Sequence, residues 1–430
     1  MNYADLAHRA GGTIAAGPPR PAILVVTDRL PVVDGYSSSL WMMRSLSELA
    51  SFANVHVLSV LNVLPRLRNI LSSERERMVF GAVVRGASHF RVTSPVPVTH
   101  VRVLGTPARL SWTLLPRLIR AQVMPHARRL LQDHRFDAVL SHGAYPIGLS
   151  SVEIAGEAGV PVLMYDHEGF ELYPKYFGRE ASNAMSESLR AADSLIALTS
   201  LHSEQLKRHF PGIPCSVVPL GIDVEAGDHL PDRGVTFNVM TAARVEGNEK
   251  DIGVLVEGFA QLIRKSEDPA HLTIAGDGSE LPALRRLARR CGIRENVTFT
   301  GWLAPSELYR LMRTQHVFVC ASREETFGYV VLEAAAVGLP VVGLPTVGIV
   351  GEFQEHDGRV TRLAELTPEE IQRVLRTLCR NESARRKIAD HARRIAAERF
   401  SWSTHRQALR EVIQTTIDRH SRRQAGEHAG

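Results

Sequence analysis

Short apolar runs alternate with longer amphipathic stretches along most of the chain. The first run, Ala22–Thr27 (AILVVT), is continuous, which is typical of a strand buried on both faces of a parallel sheet. A helical pattern follows over Leu40–Ala50. Five more strands are predicted before residue 218, at 55–61, 138–140, 160–164, 194–198 and 216–218.

The alternation stops at residues 218–234 (VPLGIDVEAGDHLPDRG), which are rich in Pro, Gly and Asp and are interpreted as a linker between domains. A second alternating set then gives strands at 235–241, 272–275, 297–300, 317–320 and 340–343. Alternating strands and helices predict the α/β class with two doubly wound parallel sheets. The expected division is a flexible leader at 1–20, domains at 21–217 and 235–395, a helix at 396–420 and a disordered tail at 421–430.

Composition narrows the class of protein without choosing a function. The chain has 430 residues, of which 44% are hydrophobic and 23% charged, as in ordinary globular proteins. These values exclude wholesale disorder, a collagen-like fibre and a multi-span membrane protein, and no run approaches the ~20 apolar residues of a spanning helix. The N-terminus lacks the basic start and apolar core of a signal peptide, so we expect a cytoplasmic protein.

The cysteines and the charge are also informative mainly by exclusion. The four cysteines are scattered and form no CxxC pair, so neither a zinc site nor a disulfide framework is predicted. The net charge of +5 permits anionic partners such as phosphates or a membrane surface. A nucleic-acid partner is disfavoured, because the arginines are spread along the chain and aromatic residues make up only 6%.

The most informative segment is 321–352 (ASREETFGYVVLEAAAVGLPVVGLPTVGIVGE). Glu325 follows a predicted strand, and Glu333 lies within an apolar helical run, where a carboxylate is costly to bury without a partner. One interpretation is a helix-start charge and a surface glutamate. The other is a sugar site, in which both glutamates accept hydrogen bonds from hydroxyls and the amides of Gly328, Tyr329 and Val330 donate to ligand oxygens.

Two further loops follow strands of the second domain. Arg244 and Lys250 flank the loop RVEGNEK; they could hold a diphosphate and neutralise a departing leaving group, or lie on an ordinary solvated loop. Gly276, Asp277 and Gly278 begin a turn that would let the backbone approach a ligand. A dinucleotide fingerprint is excluded there, because Leu281 stands where the third glycine is required.

In the first domain, Gly35 follows the first strand and His167 follows a later one. Strand-end positions of this kind can face a ligand cleft, although a lone loop histidine is more often a surface residue. His142, in the segment SHGAYP, is expected to be structural.

Taken in order, these segments resemble the retaining family 4 glycosyltransferases of the GT-B fold, in which two Rossmann-like domains face each other across a cleft. The segments that carry the resemblance are DGY, MYDHEG, VVPLGID, AARVEGNEK, IAGDGSE, EETFGYVVLEAAAVGLPVV and GIVGE. The resemblance is dense over 217–352 and looser over 22–216. It implies transfer of a sugar from a nucleotide-diphosphate-sugar donor, without a metal or other cofactor, and a final helix that returns to the first domain.

The resemblance also implies roles for individual residues. Arg244 and Lys250 would hold the donor diphosphate, with Gly35 packed beneath it, and Glu333 would bind the ribose hydroxyls. His167 would lie near the reacting centre as a catalytic residue. The remaining implied contacts are to the transferred sugar, from Glu325 (also catalytic), Phe327, Gly328, Tyr329 and Val330, and to the nucleotide, from Gly276, Asp277 and Gly278.

Two positions depart from the family pattern. Tyr36 follows Gly35 where many members have a second glycine, so it could narrow the diphosphate loop or reach the acceptor. Ile349 follows Gly348 where a second glycine often precedes the last glutamate, Glu352, which puts the donor-sugar contacts there in question. Neither departure removes a charged group from the predicted site.

The acceptor is not specified by the sequence. Residues 105–132 mix arginines with Trp112 and several leucines, a pattern that suits either a soluble helix with a solvated basic face or contact with an anionic membrane at the inner face. The acceptor could therefore be a glycan, a lipid-linked sugar or a small molecule. Two alternatives to transfer remain: a same-fold sugar-nucleotide epimerase and a non-catalytic scaffold that binds nucleotide sugars.

Overall fold

The computed structural model describes residues 20–30, 40–62, 94–104, 114–224, 235–246, 250–354 and 360–427. Two compact α/β units are present. The first comprises the described residues up to Ala197, Ser203–Val218 and those from His405 onward; the second comprises Leu198–His202 and Pro219–Thr404. The α/β class and the parallel sheets that were predicted from the sequence are confirmed.

The first unit has a seven-stranded parallel sheet in the order β3-β2-β1-β4-β5-β6-β7. Apolar residues of β1, such as Leu24 and Val26, pack with Ile119 and Val123 of a flanking helix in one continuous core. The strands are β1 Ala22–Thr27, β2 Asn54–Asn62, β3 Val98–Val103, β4 Ala138–His142, β5 Val162–Tyr165, β6 Ser194–Ala197 and β7 Cys215–Val217. The helices between them are α1 Leu40–Ala50, α2 Leu114–Asp133, α3 Gly148–Ala158, α4 Tyr173–Arg190 and α5 Ser200–His209.

The second unit has a five-stranded parallel sheet in the order β10-β9-β8-β11-β12. Its strands are β8 Phe237–Ala242, β9 Ala270–Ala275, β10 Val297–Gly301, β11 Val317–Val319 and β12 Val341–Val342. Its helices are α6 Ile252–Lys265, α7 Leu281–Arg290, α8 Pro305–Met312, α9 Tyr329–Ala336, α10 Pro368–Arg380 and α11 Glu382–Arg399. Helix α6 buries Leu255, Val256 and Phe259 against this sheet.

Part of the predicted linker packs tightly against the end of the second unit. The Ile222 amide donates to the Phe400 carbonyl oxygen at 2.7 Å. A Cβ on Gly221 would lie 2.5 Å from the Trp402 ring, so this crossing admits only glycine at residue 221. The last helix, α12 (Trp402–Glu427), follows directly; it continues to Glu427, whereas the sequence pattern ends it at residue 420.

Each sheet has a strand order that reverses direction beside its first strand. In the first unit the reversal lies between β1 and β4, and in the second it lies between β8 and β11. Open α/β sheets bind ligands outside the carboxyl ends of the strands at such a point. The loops that follow these four strands are therefore where a functional site is expected.

Candidate active site

The loops after β8 and β11 bring Lys250 and Glu325 together. The backbones of Lys250 and Ser322 form an isolated β-bridge, which fixes the two loops side by side. The Lys250 ammonium donates to Ser322 Oγ at 3.1 Å and forms an ion pair with the Glu325 carboxylate. The two side chains are only 16% and 28% exposed, so a cation and a carboxylate share one partly desolvated position.

Helix α9 begins at Tyr329, directly after the loop that carries Glu325, so its first amides lie at the same edge of the sheet. Gly328 is the N-cap with a φ of +84°, a left-handed conformation that favours glycine, and its hypothetical Cβ would lie 3.2 Å from Glu325 Cγ. The first amides of a helix have no intrahelical acceptor. Those of Tyr329 and Val330 are therefore suited to oxygen atoms of a ligand, while the Tyr329 hydroxyl donates to the Gly221 carbonyl oxygen at 2.9 Å.

Residues 348 and 349 brace the loop that carries Glu325. The Gly348 amide donates to the Glu325 carbonyl oxygen at 3.1 Å, and the Ile349 amide donates to that of Phe327 at 2.9 Å. Gly348 has a φ of +53°, and a Cβ there would lie 2.3 Å from Phe327 O. The side chain of Ile349, which stands where the family pattern often has a second glycine, is buried and packs in the interior. The Glu352 carboxylate pairs with Arg399 at 2.6 Å.

Phe327 cannot present its ring at this edge. The side chain is 4% exposed and packs edge-on against Phe400, with 6.1 Å between ring centroids. A donor-sugar contact by Phe327 would therefore come from its backbone, the part of the residue that the sequence-based prediction of contacts from the amides after Glu325 involves.

Glu333 lies on α9 and accepts a hydrogen bond from Tyr309 on α8. Burial raises the pKa of its carboxyl group from 4.5 to about 7, and the Tyr309 hydroxyl offsets only part of that rise. Glu333 is therefore close to half-protonated at neutral pH in the absence of a ligand. Tyr309 was missed in the sequence, because its partner is fixed only by the packing of α8 on α9.

Nucleotide affinity should rise with pH if Glu333 binds ribose hydroxyls. The carboxylate accepts hydrogen bonds from hydroxyls more strongly than the neutral acid does. With a pKa of about 7 in the free protein, the affinity should increase nearly tenfold from about pH 6 to about pH 8 and then level off. Calorimetric titrations with a nucleoside diphosphate across this range would measure the slope.

The matched control is Glu333→Gln, which should bind more weakly and without that slope. Because the folded pKa lies above the unfolded value of 4.5, the wild-type free energy of unfolding should also fall as pH rises from about 4.5 through about 7. This fall should be smaller in the glutamine variant. An unchanged pH slope of binding in Glu333→Gln would contradict the ribose assignment.

The glycine turn after β9 packs against the loop that carries Arg244. The Ala243 amide donates to the Ala275 carbonyl oxygen at 3.1 Å, and the Val245 amide donates to that of Asp277 at 3.0 Å. A Cβ on Gly276 would lie 1.9 Å from Ala243 O. The sequence predicts a close approach of this turn to a ligand, and in the structure the turn closely approaches the backbone of residues 243–245. These contacts fix the path of the loop on which Arg244 is exposed to solvent.

The first unit gathers a ring cluster at the ends of β4 and β5. His167 Nε2 lies 3.0 Å from His142 Nδ1. The His142 ring stacks on Tyr165 at 4.6 Å between centroids, and Trp41 of α1 lies 4.9 Å from the His167 ring. His142, for which the sequence predicts a structural role, is thus in direct contact with His167.

Charged residues surround this cluster. Arg29, directly after β1, forms an ion pair with Glu168, the neighbour of His167. Asp28 precedes Arg29 in the chain, and one of its carboxylate oxygens lies 4.0 Å from Arg29 Nε. These residues and Trp41 were missed in the sequence, although Asp28 and Arg29 directly follow the first strand, a position that could have signalled them.

Some residues singled out in the sequence lie outside the described residues, and some arginines of the basic segment 105–132 have acidic partners. Gly35, Tyr36, Arg109 and Trp112 are outside the described ranges. On α2, Arg120 pairs with Glu153 at 3.1 Å, and Arg128 pairs with Glu157 at 2.6 Å. Part of the basic face of this helix is thus paired with glutamates of α3.

The described part of the chain contains neither a cluster of metal ligands nor a membrane-spanning helix. Among those residues, no cluster of three or more His, Cys, Asp or Glu side chains could hold a metal ion. None of the described helices is long and apolar enough to span a bilayer. All four cysteines lie in described ranges and are free thiols.

Comparison with known proteins agrees with this architecture. Residues 236–395 match the family model "Glycosyl transferases group 1", and residues 78–226 match "Glycosyltransferase Family 4". The fold resembles the crystal structure of Anabaena Alr3699/HepE in complex with UDP and glucose, with a TM-score of 0.66 and 17% identity over 92% of this chain and 100% of that one. The protein therefore has the fold of the GT-B glycosyltransferases.

Two sequence relatives make the assignment more specific. Alpha-monoglucosyldiacylglycerol synthase of Streptococcus pneumoniae is 26% identical over 50% of this chain and 53% of its own length. GDP-mannose-dependent alpha-(1-6)-phosphatidylinositol monomannoside mannosyltransferase of Mycobacterium tuberculosis is 30% identical over 56% of this chain and 68% of its own length. The chain thus spans about half of the first relative and about two thirds of the second. It belongs to glycosyltransferase family 4, the glycosyl transferases group 1.

Proposed function

We propose that the protein transfers a sugar, with retention of anomeric configuration, from a nucleotide-diphosphate-sugar donor to an acceptor hydroxyl. The observation that carries the proposal is the Lys250–Glu325 ion pair beside the first amides of α9. A cation, a carboxylate and helix-start amides within one strand-end site match the chemistry of a glycosyl diphosphate, which has anionic phosphates and a polyhydroxylated ring.

In the proposed complex, the donor diphosphate replaces Glu325 as the ion-pair partner of Lys250. Lys250 and Arg244 then bind phosphate oxygens, and Glu325 becomes available to accept hydrogen bonds from sugar hydroxyls. Glu333 binds the ribose, and the amides of Tyr329 and Val330 contact the donor sugar. The ion pair of the free protein thus keeps both groups in place until a ligand with matching charges arrives.

Charge stabilisation accounts for the chemical step. As the glycosidic bond breaks, negative charge develops on the leaving diphosphate, and the two cations stabilise it. The acceptor hydroxyl attacks on the same face of the sugar, and its proton passes to the leaving phosphate oxygen. His167 is the proposed acceptor-side group. Because protein cations supply the neutralisation, we propose that no metal ion is required.

Lipid-linked sugars are the first acceptors to test. The two relatives are named for a glucosyldiacylglycerol and a phosphatidylinositol mannoside, both glycolipids. The exposed Leu114 and Leu118 at the start of α2, which are 50% and 41% exposed, lie beside the arginines of that helix and would suit a peripheral contact with lipid. A glycan or a small molecule remains the alternative acceptor.

The proposal is tested by product formation with the full chain in EDTA. Uridine and guanosine diphosphate sugars are first screened by thermal shift, and the stabilising donor is then incubated with glycolipid, glycan and small-molecule acceptors. We expect one base to give a shift, nucleotide release and an α-linked product from an α-linked donor, with no increase when Mg²⁺ or Mn²⁺ is added. An inverted product, or strict metal dependence, would contradict the corresponding part of the proposal.

Two other outcomes would replace transfer with another function. Stabilisation by a nucleotide sugar without hydrolysis or transfer to any acceptor would indicate a scaffold. Conversion of the donor sugar to its epimer, with the nucleotide still attached, would indicate an epimerase. Absence of stabilisation by every nucleotide sugar would count against the donor site itself.

A further inference from the structure

We propose that His142 is a positioning residue for His167, holding Nε2 of that ring so that its tautomer and orientation are fixed. The inference rests on the proposed function, which places His167 on the acceptor side. It adds a residue that the sequence pattern gave only a structural role. The supporting observations are a hydrogen bond, a stack of rings and the burial of the His142 imidazole.

The rings are held in register by the sheet. Strands β4 and β5 are parallel neighbours in which His142 pairs with Tyr165. Tyr165 is fully buried, and its ring is nearly parallel to those of both histidines, with 4.6 Å to the His142 centroid and 4.8 Å to the His167 centroid. Trp41 of α1 lies 4.9 Å from the centroid of the His167 ring. Strand pairing and packing thus restrict rotation of the His167 ring.

His142 enters this contact as a neutral imidazole. It is 1% exposed, and burial, together with the nearby His405 and Arg29, lowers its pKa to about 3. A neutral imidazole carries one N–H and one lone pair. Across the 3.0 Å from His142 Nδ1 to His167 Nε2, one nitrogen must donate and the other must accept, so the tautomers of the two rings are coupled.

This coupling limits what His167 can do. If His167 Nε2 donates, His142 Nδ1 accepts, and His167 can be neutral or cationic. If His142 Nδ1 donates, His167 cannot take a proton at Nε2 without breaking the bond. In either case Nε2 is occupied while the bond holds.

The charged and titratable groups around the pair lie in, or just after, three elements. Arg29 follows β1, Tyr165 belongs to β5, Glu168 follows β5, and His405 belongs to α12. Arg29 is paired with Glu168, and His405 Nε2 is within 2.9 Å of Ser45 Oγ. Arg29 and Glu168 are thus the cation and the carboxylate among these groups, and they neutralise each other beside the two rings.

Two variants separate positioning from packing. His142→Asn places an amide near Nδ1 and can keep the hydrogen bond, although it loses the ring stack. His142→Phe keeps a ring on Tyr165 and loses the hydrogen bond. We expect transfer to fall roughly 10²-fold in His142→Phe and much less in His142→Asn, with kcat rather than donor KM affected, because a displaced reacting group costs about that factor.

The second readout is the ¹⁵N spectrum of the histidine rings. The signals of His167 are those that disappear in the His167→Gln variant. In the wild type, His142 should stay neutral and in one tautomer from about pH 5 to 8, well above its pKa of about 3. In His142→Phe, the His167 ring nitrogens and the titration midpoint should shift. Unchanged His167 signals in His142→Phe, or greater activity in His142→Phe than in His142→Asn, would overturn the proposal.

The two proposals fail in distinguishable ways. A wild-type protein that transfers no sugar would contradict the proposed function, while the ring spectra would still decide whether His142 fixes His167. Normal wild-type transfer with unaltered His167 spectra in His142→Phe would contradict the positioning role alone. Donor binding, measured in parallel, should be the same in all three proteins, because none of the proposed donor contacts is altered.

Discussion

Replacing Lys250 with alanine should lower the rate of sugar transfer by on the order of 10²–10³-fold, the cost of removing one group that stabilises developing charge. The ammonium is held between Ser322 and Glu325 and is 16% exposed, so its charge is poorly screened. The variant should remain folded, because Lys250 lies on a loop and its backbone bridge to Ser322 does not need the side chain. Initial rates of nucleotide release, with circular dichroism as a fold check, would measure both effects.

The matched control is Arg323→Ala. Arg323 forms an ion pair with Asp251 at 2.6 Å and joins the same two loops, but its side chain is 49% exposed. Loss of this pair should cost under about 1 kcal/mol and leave turnover close to wild type. Equal loss of activity in Lys250→Ala and Arg323→Ala would mean that loop geometry, rather than the charge of Lys250, supports transfer.

Substituting alanine for Gly276 should lower the free energy of unfolding by more than about 3 kcal/mol, because backbone strain and overlap add. The residue has a φ of +128°, and the new Cβ would lie 1.9 Å from Ala243 O. The turn cannot move away without breaking the backbone bonds that join it to residues 243–245. Chemical denaturation would show the loss, and nucleotide binding should weaken with it, since the displaced loop carries Arg244.

Gly292→Ala is the control that measures the cost of backbone strain without steric overlap. Gly292 has a φ of +75°, and a Cβ there would have open space around it. Its cost should therefore be about 1–2 kcal/mol, the left-handed penalty of a non-glycine residue. Equal destabilisation by the two substitutions would contradict the steric account of Gly276.

Most of the fold could be predicted from local pattern. Continuous apolar runs such as Ala22–Thr27 can be buried only in a parallel sheet covered on both faces, and most predicted strand ends differ from the structure by two residues or fewer. Strand β3 (Val98–Val103) was missed. It lies at the edge of its sheet, where polar residues such as His100 and Arg102 interrupt the apolar pattern. The extension of α12 to Glu427 was missed because its last turns are exposed and polar.

The residues of the candidate site could be proposed one by one from the sequence, but their contacts with one another could not. Strand-end position alone indicated Lys250 and Glu325, whereas their ion pair depends on a bridge between loops that are far apart in the sequence. The pairing of His142 with His167 likewise needs β4 beside β5, a neighbour relation that no local pattern contains. The steric requirement for glycine at residue 276 could not be predicted either, because the atom that a Cβ there would overlap, Ala243 O, belongs to another loop.

The most direct test of the donor site is calorimetric titration of UDP and GDP into the full chain in EDTA. We predict saturable binding of at least one of them by the wild type, unaltered in Arg323→Ala and strongly weakened in Lys250→Ala. Unaltered binding in Lys250→Ala, or no binding of either nucleotide by folded wild-type protein, would contradict the assignment of the Lys250–Glu325 site as the place where the donor is held.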